Sequence, residues 1–260
     1  SAIVAAGAGL AIAGMKSMVE MQFADFVSCG FNQIVNNLAK THYRWGTAMD
    51  VVVRLPTGAG TAAGPFHSQS NEAWFFHVPG LKIVYPSNPA DAKGLLLAAF
   101  EDPNPVLYFE HKMLYRSISG PVAEGYYNVP IGRAAVAQAG TDASIITYGA
   151  GVHWALATAA ESGASIEVID LRSLLPWDRE AVFASARKTG KVLVLHEDTL
   201  TGGIGAEIAA AIGEECFRHL DAPVMRLASL DTPVPFHAAL ERNFLPQQRL
   251  AGRLAELLAF

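Results

Sequence analysis

A two-domain α/β chain, each domain a mainly parallel sheet flanked by helices, is the fold class this sequence predicts, on three observations. Short apolar runs rich in valine and isoleucine alternate with longer amphipathic or capped stretches through both halves. The 260 residues suit two domains of ordinary size. Hydrophobic residues make up 51% of the chain and charged residues only 17%, with a mean hydropathy of +0.25. Such a surplus belongs in sheets covered on both faces, or in subunit interface. The expected division is a first domain over 1–112, a linker over 113–131 and a second domain over 132–260.

Residues 1–13 are almost all Ala, Gly, Ile, Val and Leu and read as a helix closed by Gly14. Its apolar residues lie on nearly every face, so it is expected to be buried all round. A fully apolar helix at the start of a chain suggests that the sequence begins inside a domain, or that the helix packs on another subunit. Met18 to Phe23 reads as a strand. Ala24 to His42 reads as an amphipathic helix with Phe26, Phe31, Ile34, Val35 and Leu38 toward the core. Asp50 to Leu55 is a strand entering a Gly-rich loop, and Ala73 opens a new apolar segment. Leu81 to Tyr85 is a short strand. Ser87 and Asn88 cap a helix over 89–101, with Pro89 near its first position. Asp102-Pro103-Asn104-Pro105 stops it, and Val106 to Glu110 is again a strand. The second run has strands at 134–138, 143–147, 166–170, 191–195 and 223–227, and helices at 151–161, 179–188, 204–218 and 247–258.

Composition narrows the function. A net charge of −5 gives no general attraction to nucleic acid or to an anionic membrane. The longest apolar stretch, Ala2 to Met15, is Gly-interrupted and too short to span a bilayer, and no basic region precedes it. Cys29 and Cys216 suggest neither a disulfide framework nor a zinc site, which points to a reducing compartment.

The loop after the strand at 50–55 holds the strongest chemical signal. It carries Gly58, Gly60 and Gly64, then Pro65 and His67-Ser68-Gln69. Glycines let backbone amides approach a ligand, and a histidine moves protons near neutral pH. Ser68 and Gln69 could orient the imidazole. The same residues also read as a surface loop with an incidental histidine. Gln22 and Phe26 could hold a flat heterocycle by hydrogen bonding and stacking; Phe26 equally reads as core packing. Asp102 and Asn104, after the helix carrying Ala99, form an oxygen-rich turn that suits either a cation or a plain helix stop. In the second half, Thr201 to Gly205 could seat an anion at a helix start, though no Gly-Lys-Ser/Thr is present. His196 and Glu197 read as site residues or as structural partners.

Several ordered segments together resemble one family. They are MVEMQFADF at 18–26 with FNQIVN at 31–36, GPFHSQS at 64–70, VPGLKIVYPSNPADAKGLL at 78–96, EDPNPVLYFE at 101–110, VIDLRSLLPWD at 168–178, HEDTLTGGIGAEI at 196–208 and DTPVPF at 231–236. The chain is similar to the β subunit, or β half, of thiamine-diphosphate-dependent 2-oxoacid dehydrogenases, nearest the branched-chain 2-oxoacid type. The resemblance implies a transketolase-like pyrimidine-binding domain followed by a transketolase C-terminal-like domain. It implies that His67 assists acyl transfer to a lipoyl group, that Gln22 and Phe26 flank the aminopyrimidine, and that Ala99, Asp102 and Asn104 belong to a potassium site. The family's activating glutamate aligns one residue before Ser1, so that residue and the segment before it are expected outside this sequence. Gly140-Thr141-Asp142 lacks the following asparagine of a magnesium-diphosphate motif. Magnesium and diphosphate are therefore expected on an α subunit or α region. The implied partners are that α part, a second β copy and a lipoyl-bearing acyltransferase core, in the cytoplasm or a mitochondrial matrix. A pyruvate- or acetoin-type enzyme and a non-catalytic assembly subunit are the alternatives.

Overall fold

The computed structural model describes residues 1–260. Helix α1 (Ala2–Ile12) leads into β1 (Ser17–Glu20), followed by a tight 3-10 segment, Ala24–Gly30, a wide π-wound segment, Gln33–Leu38, and α2 (Ala39–Trp45). Strand β2 (Val51–Thr57), the Gly-rich loop, one helical turn α3 (Ala73–Phe76), β3 (Lys82–Val84), α4 (Pro89–Glu101), β4 (Val106–His111) and a second single turn, α5 (Leu114–Ser117), complete the first half. The second half runs β5 (Ala135–Gln138), β6 (Ala143–Thr147), α6 (Ala150–Ser162), β7 (Ile166–Asp170), β8 (Ser173–Leu175), α7 (Arg179–Thr189), β9 (Val192–Thr199), α8 (Ile204–Cys216), β10 (Met225–Ser229), α9 (Ala238–Phe244) and α10 (Gln247–Leu258).

Two mainly parallel five-stranded sheets result, ordered β1-β2-β4-β3-β8 and β10-β9-β6-β7-β5. The register aligns Val52 with Val106 and Leu107 with Ile83. The antiparallel members are β8 on β3 and β5 on β7. The central strands are buried nearly throughout, as their unbroken apolar runs require. Strand β8 comes from the second half yet completes the first sheet, so the two halves share a core. Tyr85 packs on Tyr148 with ring centroids 5.3 Å apart, inside one apolar cluster that also holds Leu55, Phe109 and Leu171. The leucine and phenylalanine side chains of this cluster each contribute about 1.5–3 kcal/mol on burial.

Capping agrees with the sequence at α4 for Asn88, whose side chain accepts the Asp91 N–H with Pro89 in the first turn, whereas Ser87 donates its hydroxyl to Asp170 and takes no part in the cap. Three expectations change. The stretch 24–42 is not one amphipathic helix. Its tight winding before Gly30 and wide winding after it split the apolar set: Ile34 and Leu38 are buried, whereas Phe26 and Phe31 are 42% and 37% exposed. Gly30 marks the change of winding, with its α-carbon pressed so close to α1 that a Cβ would lie 3.0 Å from a Val4 methyl. Helix α1 buries one face only, through Val4, Ala8 and Ala11, and leaves Ile3, Leu10 and Ile12 exposed. Strand β8 and helix α9 escaped the sequence reading, being too short to show a period. No helix is long and apolar enough to cross a membrane.

Candidate functional site

Strands β1 and β2 run parallel, β2 continuing to Thr57 beyond the last Glu20–Arg54 pair, and the chain leaving the carboxyl end of each carries one half of an aromatic corner. After β1 come Gln22, which is exposed, Phe23, half-buried, and Phe26. After β2 comes the Gly-rich loop that ends in His67. The His67 ring stands edge-on to Phe23, with centroids 5.9 Å apart, and to Phe26, at 5.6 Å. Carboxyl ends of parallel strands are where α/β folds place ligands. The aromatic positions and His67, more than 40 residues apart in sequence, meet there.

The loop is fixed from both sides. Thr57 donates its hydroxyl to the Gln69 carbonyl at 2.7 Å. The Gln69 backbone and side-chain N–H groups both donate to Asp25 Oδ1, at 3.1 and 2.9 Å. Gln69 therefore ties the loop to the Phe26 segment and does not orient the imidazole. Buried Ser68 hydrogen-bonds no neighbour. From the second half, Glu197 Oε1 accepts the Ala59 N–H at 2.6 Å and the Ser70 hydroxyl at 3.3 Å. Glu197 Oε2 pairs with His111 Nε2 at 2.5 Å, both side chains buried. Glu241 accepts the Ala62 N–H at 3.0 Å. Gly58 is the one residue type that fits its place: φ is +93°, and a Cβ would run into the His111 ring.

Electrostatics are concentrated behind this loop. Burial would raise the Glu197 carboxyl, but the charge and hydrogen bond of His111 outweigh it and hold Glu197 below the usual glutamate range. Glu72 and Asp198 go the other way. Burial first, and then neighbouring carboxylate charge, pushes Glu72 up to about 8; burial likewise raises Asp198, to about 7. Lys112 lies over the Phe23 ring at 4.9 Å. Burial lowers its pKa, against the opposing pull of Asp25, Glu197 and Glu241.

The oxygen-rich turn after α4 is satisfied by protein groups. Asp102 Oδ1 accepts the Asn104 backbone and side-chain N–H groups at 2.9 and 2.8 Å, and Oδ2 pairs with the Lys82 ammonium. Burial would raise this carboxyl, and the Lys82 and Asn104 bonds bring it below its ordinary value. Ala99 is buried in α4. These three residues lie together, away from the aromatic corner. The glycines opening α8 are also structural: a Cβ at Gly203 or Gly205 would collide with the His196 ring, which is wholly buried and held neutral by a pKa lowered to about 4.

Sequence reasoning missed His111, Lys112, Asp25 and Glu241. Their partners lie 44 to 179 residues away, so no local spacing could reveal them.

Comparison with known proteins assigns domain types to both halves of the chain. Residues 1–117 match the transketolase pyrimidine-binding domain, and residues 132–249 match the transketolase C-terminal domain. The 2-oxoisovalerate dehydrogenase subunit beta of Bacillus subtilis (strain 168) is 47% identical, over all of this chain and 82% of the relative. The mitochondrial 2-oxoisovalerate dehydrogenase subunit beta 2 of Arabidopsis thaliana is 48% identical, over 90% of this chain and 67% of the relative. Among solved structures, a split-gene transketolase in an inactive β4 tetramer superposes with a TM-score of 0.78 at 26% identity, over 98% of this chain and 80% of that one.

Proposed function

This chain belongs to the family of 2-oxoisovalerate dehydrogenase β subunits, within the thiamine-diphosphate-dependent 2-oxoacid dehydrogenases, and from that premise we propose that it supplies the ring-side half of an active site completed by an α subunit. The observation that carries this reading is the corner where His67 meets Phe23 and Phe26 beside exposed Gln22. The residues present fit a flat heterocycle. Phe26 is an aromatic left 42% exposed beside His67, and Gln22 offers an amide donor and acceptor on the same segment. When bound, thiamine diphosphate supplies the nucleophilic carbon and the electron sink for decarboxylation.

What remains for this chain is positioning and proton movement. Phe26 would hold the ring by aromatic packing, and Gln22 would fix its orientation by hydrogen bonding. His67, at the mouth of the corner, exchanges a proton with the lipoyl group that receives the acyl unit. Magnesium and the diphosphate would be held by the α partner, a reading supported by the closed turn at 140–142, where Gly140 is pressed against the Ile166–Glu167 backbone and Asp142 accepts the Ser165 N–H at 2.8 Å. A potassium ion at the turn after α4 would be held by backbone carbonyls, since Lys82 and Asn104 already occupy the Asp102 carboxylate. A second β copy and a lipoyl-bearing acyltransferase core complete the assembly, and the exposed apolar face of α1 suits such a subunit contact.

The test uses the reconstituted α/β enzyme carrying His67→Ala. Transfer of the acyl unit to a lipoyl domain is expected to fall by about 100-fold or more, the scale of a lost acid/base. Cofactor affinity and dye-coupled decarboxylation are expected to fall far less. Unchanged lipoyl acylation would remove His67 from the mechanism.

A further inference from the structure

The loop bearing His67 is clasped by carboxylates from the far half of the chain. Gly58, Gly60, Ala62 and Gly64 have φ of +93°, +89°, +54° and +72°. Positive φ at every second residue coils the loop tightly and leaves peptide N–H groups free of regular backbone partners, available to anionic acceptors. Here the anions are side chains: Glu197 takes the Ala59 N–H, and Glu241 takes the Ala62 N–H. Ala62 is the informative member. A side chain at positive φ is strained and persists only where its surroundings over-determine it. Glu241, itself buried on α9, is the group that bonds it. Hydrogen bonds to ionised carboxylates are stronger than neutral ones, and the Lys112 ammonium and His111 offset the charge gathered there.

We propose that Glu197 and Glu241 are positioning residues for the acyl-transfer step: they fix loop 58–68 so that His67 keeps its edge-on contacts with Phe23 and Phe26. The inference rests on the role given to His67 above. It adds that the second half of the chain, besides completing the core, sets the geometry of the first half's catalytic loop.

Glu241→Ala and Glu241→Gln in the α/β enzyme test it, read by hydrogen exchange of peptides spanning 58–68 and by lipoyl acylation beside dye-coupled decarboxylation. In Glu241→Ala the Ala62 amide is expected to exchange about tenfold faster, the scale of one lost hydrogen bond. Acyl transfer is expected to fall by about the same factor, and more than decarboxylation. Glu241→Gln keeps an acceptor oxygen and is expected to restore slow exchange and most of the transfer. Unchanged exchange in Glu241→Ala, or full acyl transfer despite faster exchange, overturns the proposal, as does a Gln variant no better than Ala. His67→Ala in the same assays separates the two readings. If it transfers normally, the role of His67 fails; if it is impaired while Glu241→Ala is not, only the clasp fails.

Discussion

Tyr148 donates its hydroxyl hydrogen to Glu72 Oε1 at 2.7 Å, in a buried contact that joins the start of α3 to the end of β6. Glu72 therefore sits at the seam between the sheets, and burial with the nearby Asp198 charge pushes its pKa up to about 8. The sign of the consequence follows from proton binding. Below the ordinary glutamate value of 4.5 both folded and unfolded chains hold the proton. Between there and about 8 the unfolded chain has released it and the folded chain has not. Stability contributed by this group is thus complete at low pH and is lost as pH rises, by at most about 1.4 kcal/mol per pH unit. Glu72→Gln keeps an acceptor for Tyr148 without a titrating proton. Urea unfolding from about pH 5 to about pH 8 is expected to show a flatter decline in the variant. Asp198 and Asp170, both raised by burial to about 7, leave part of the slope in place. Parallel curves for the two proteins would show that Glu72 is ionised in the fold.

Phe26 tests the cofactor corner separately from stability. Its ring is part exposed and touches His67 edge-on, so truncation removes little buried core. Phe26→Ala is expected to cost less than about 1 kcal/mol in unfolding of the cofactor-free chain. Loss of aromatic packing on a bound heterocycle, worth about 0.5–1.5 kcal/mol beyond area, is expected to weaken thiamine diphosphate binding to the α/β enzyme about tenfold. Calorimetric titration reads the second quantity and denaturant unfolding the first. A large stability loss with unchanged cofactor affinity would return Phe26 to the core.

Much of the fold was legible because the central strands are unbroken apolar runs. Val51-Val52-Val53 and the run from Val106 to Phe109 announce buried parallel strands without help from context. The stretch 24–42 misled because spacing alone assumes one helical pitch, whereas the backbone winds tightly up to Gly30, where it lies close against α1, and widely after it. In the site, His67, Gln22 and Phe26 stood out through residue type and position after strands. Glu241 could not, since it lies on a seven-residue helix and its partner amide is 179 residues away. Glu197 was visible as part of His196-Glu197-Asp198 at a strand end, but its bond to Ala59 is a product of how the two sheets pack.

Gly58 and Gly14 separate backbone strain from close packing. Both have positive φ, +93° and +82°, yet a Cβ at Gly58 would enter the His111 ring, whereas at Gly14 nothing lies within 4 Å. Alanine in the left-handed region costs about 1–2 kcal/mol, so Gly14→Ala is expected to lose about that much. Gly58→Ala adds a collision with a ring that is buried and bonded to Glu197, and is expected to lose about 3 kcal/mol or more. Because His111 can yield only by disturbing Glu197, which also holds Ala59, the same substitution is expected to loosen the His67 loop, seen as faster hydrogen exchange across 58–68. Denaturant midpoints for the two variants read the first expectation. Equal losses would mean that the His111 ring moves aside freely, and that the tight approach of loop and strand β4 does not hold the loop in place.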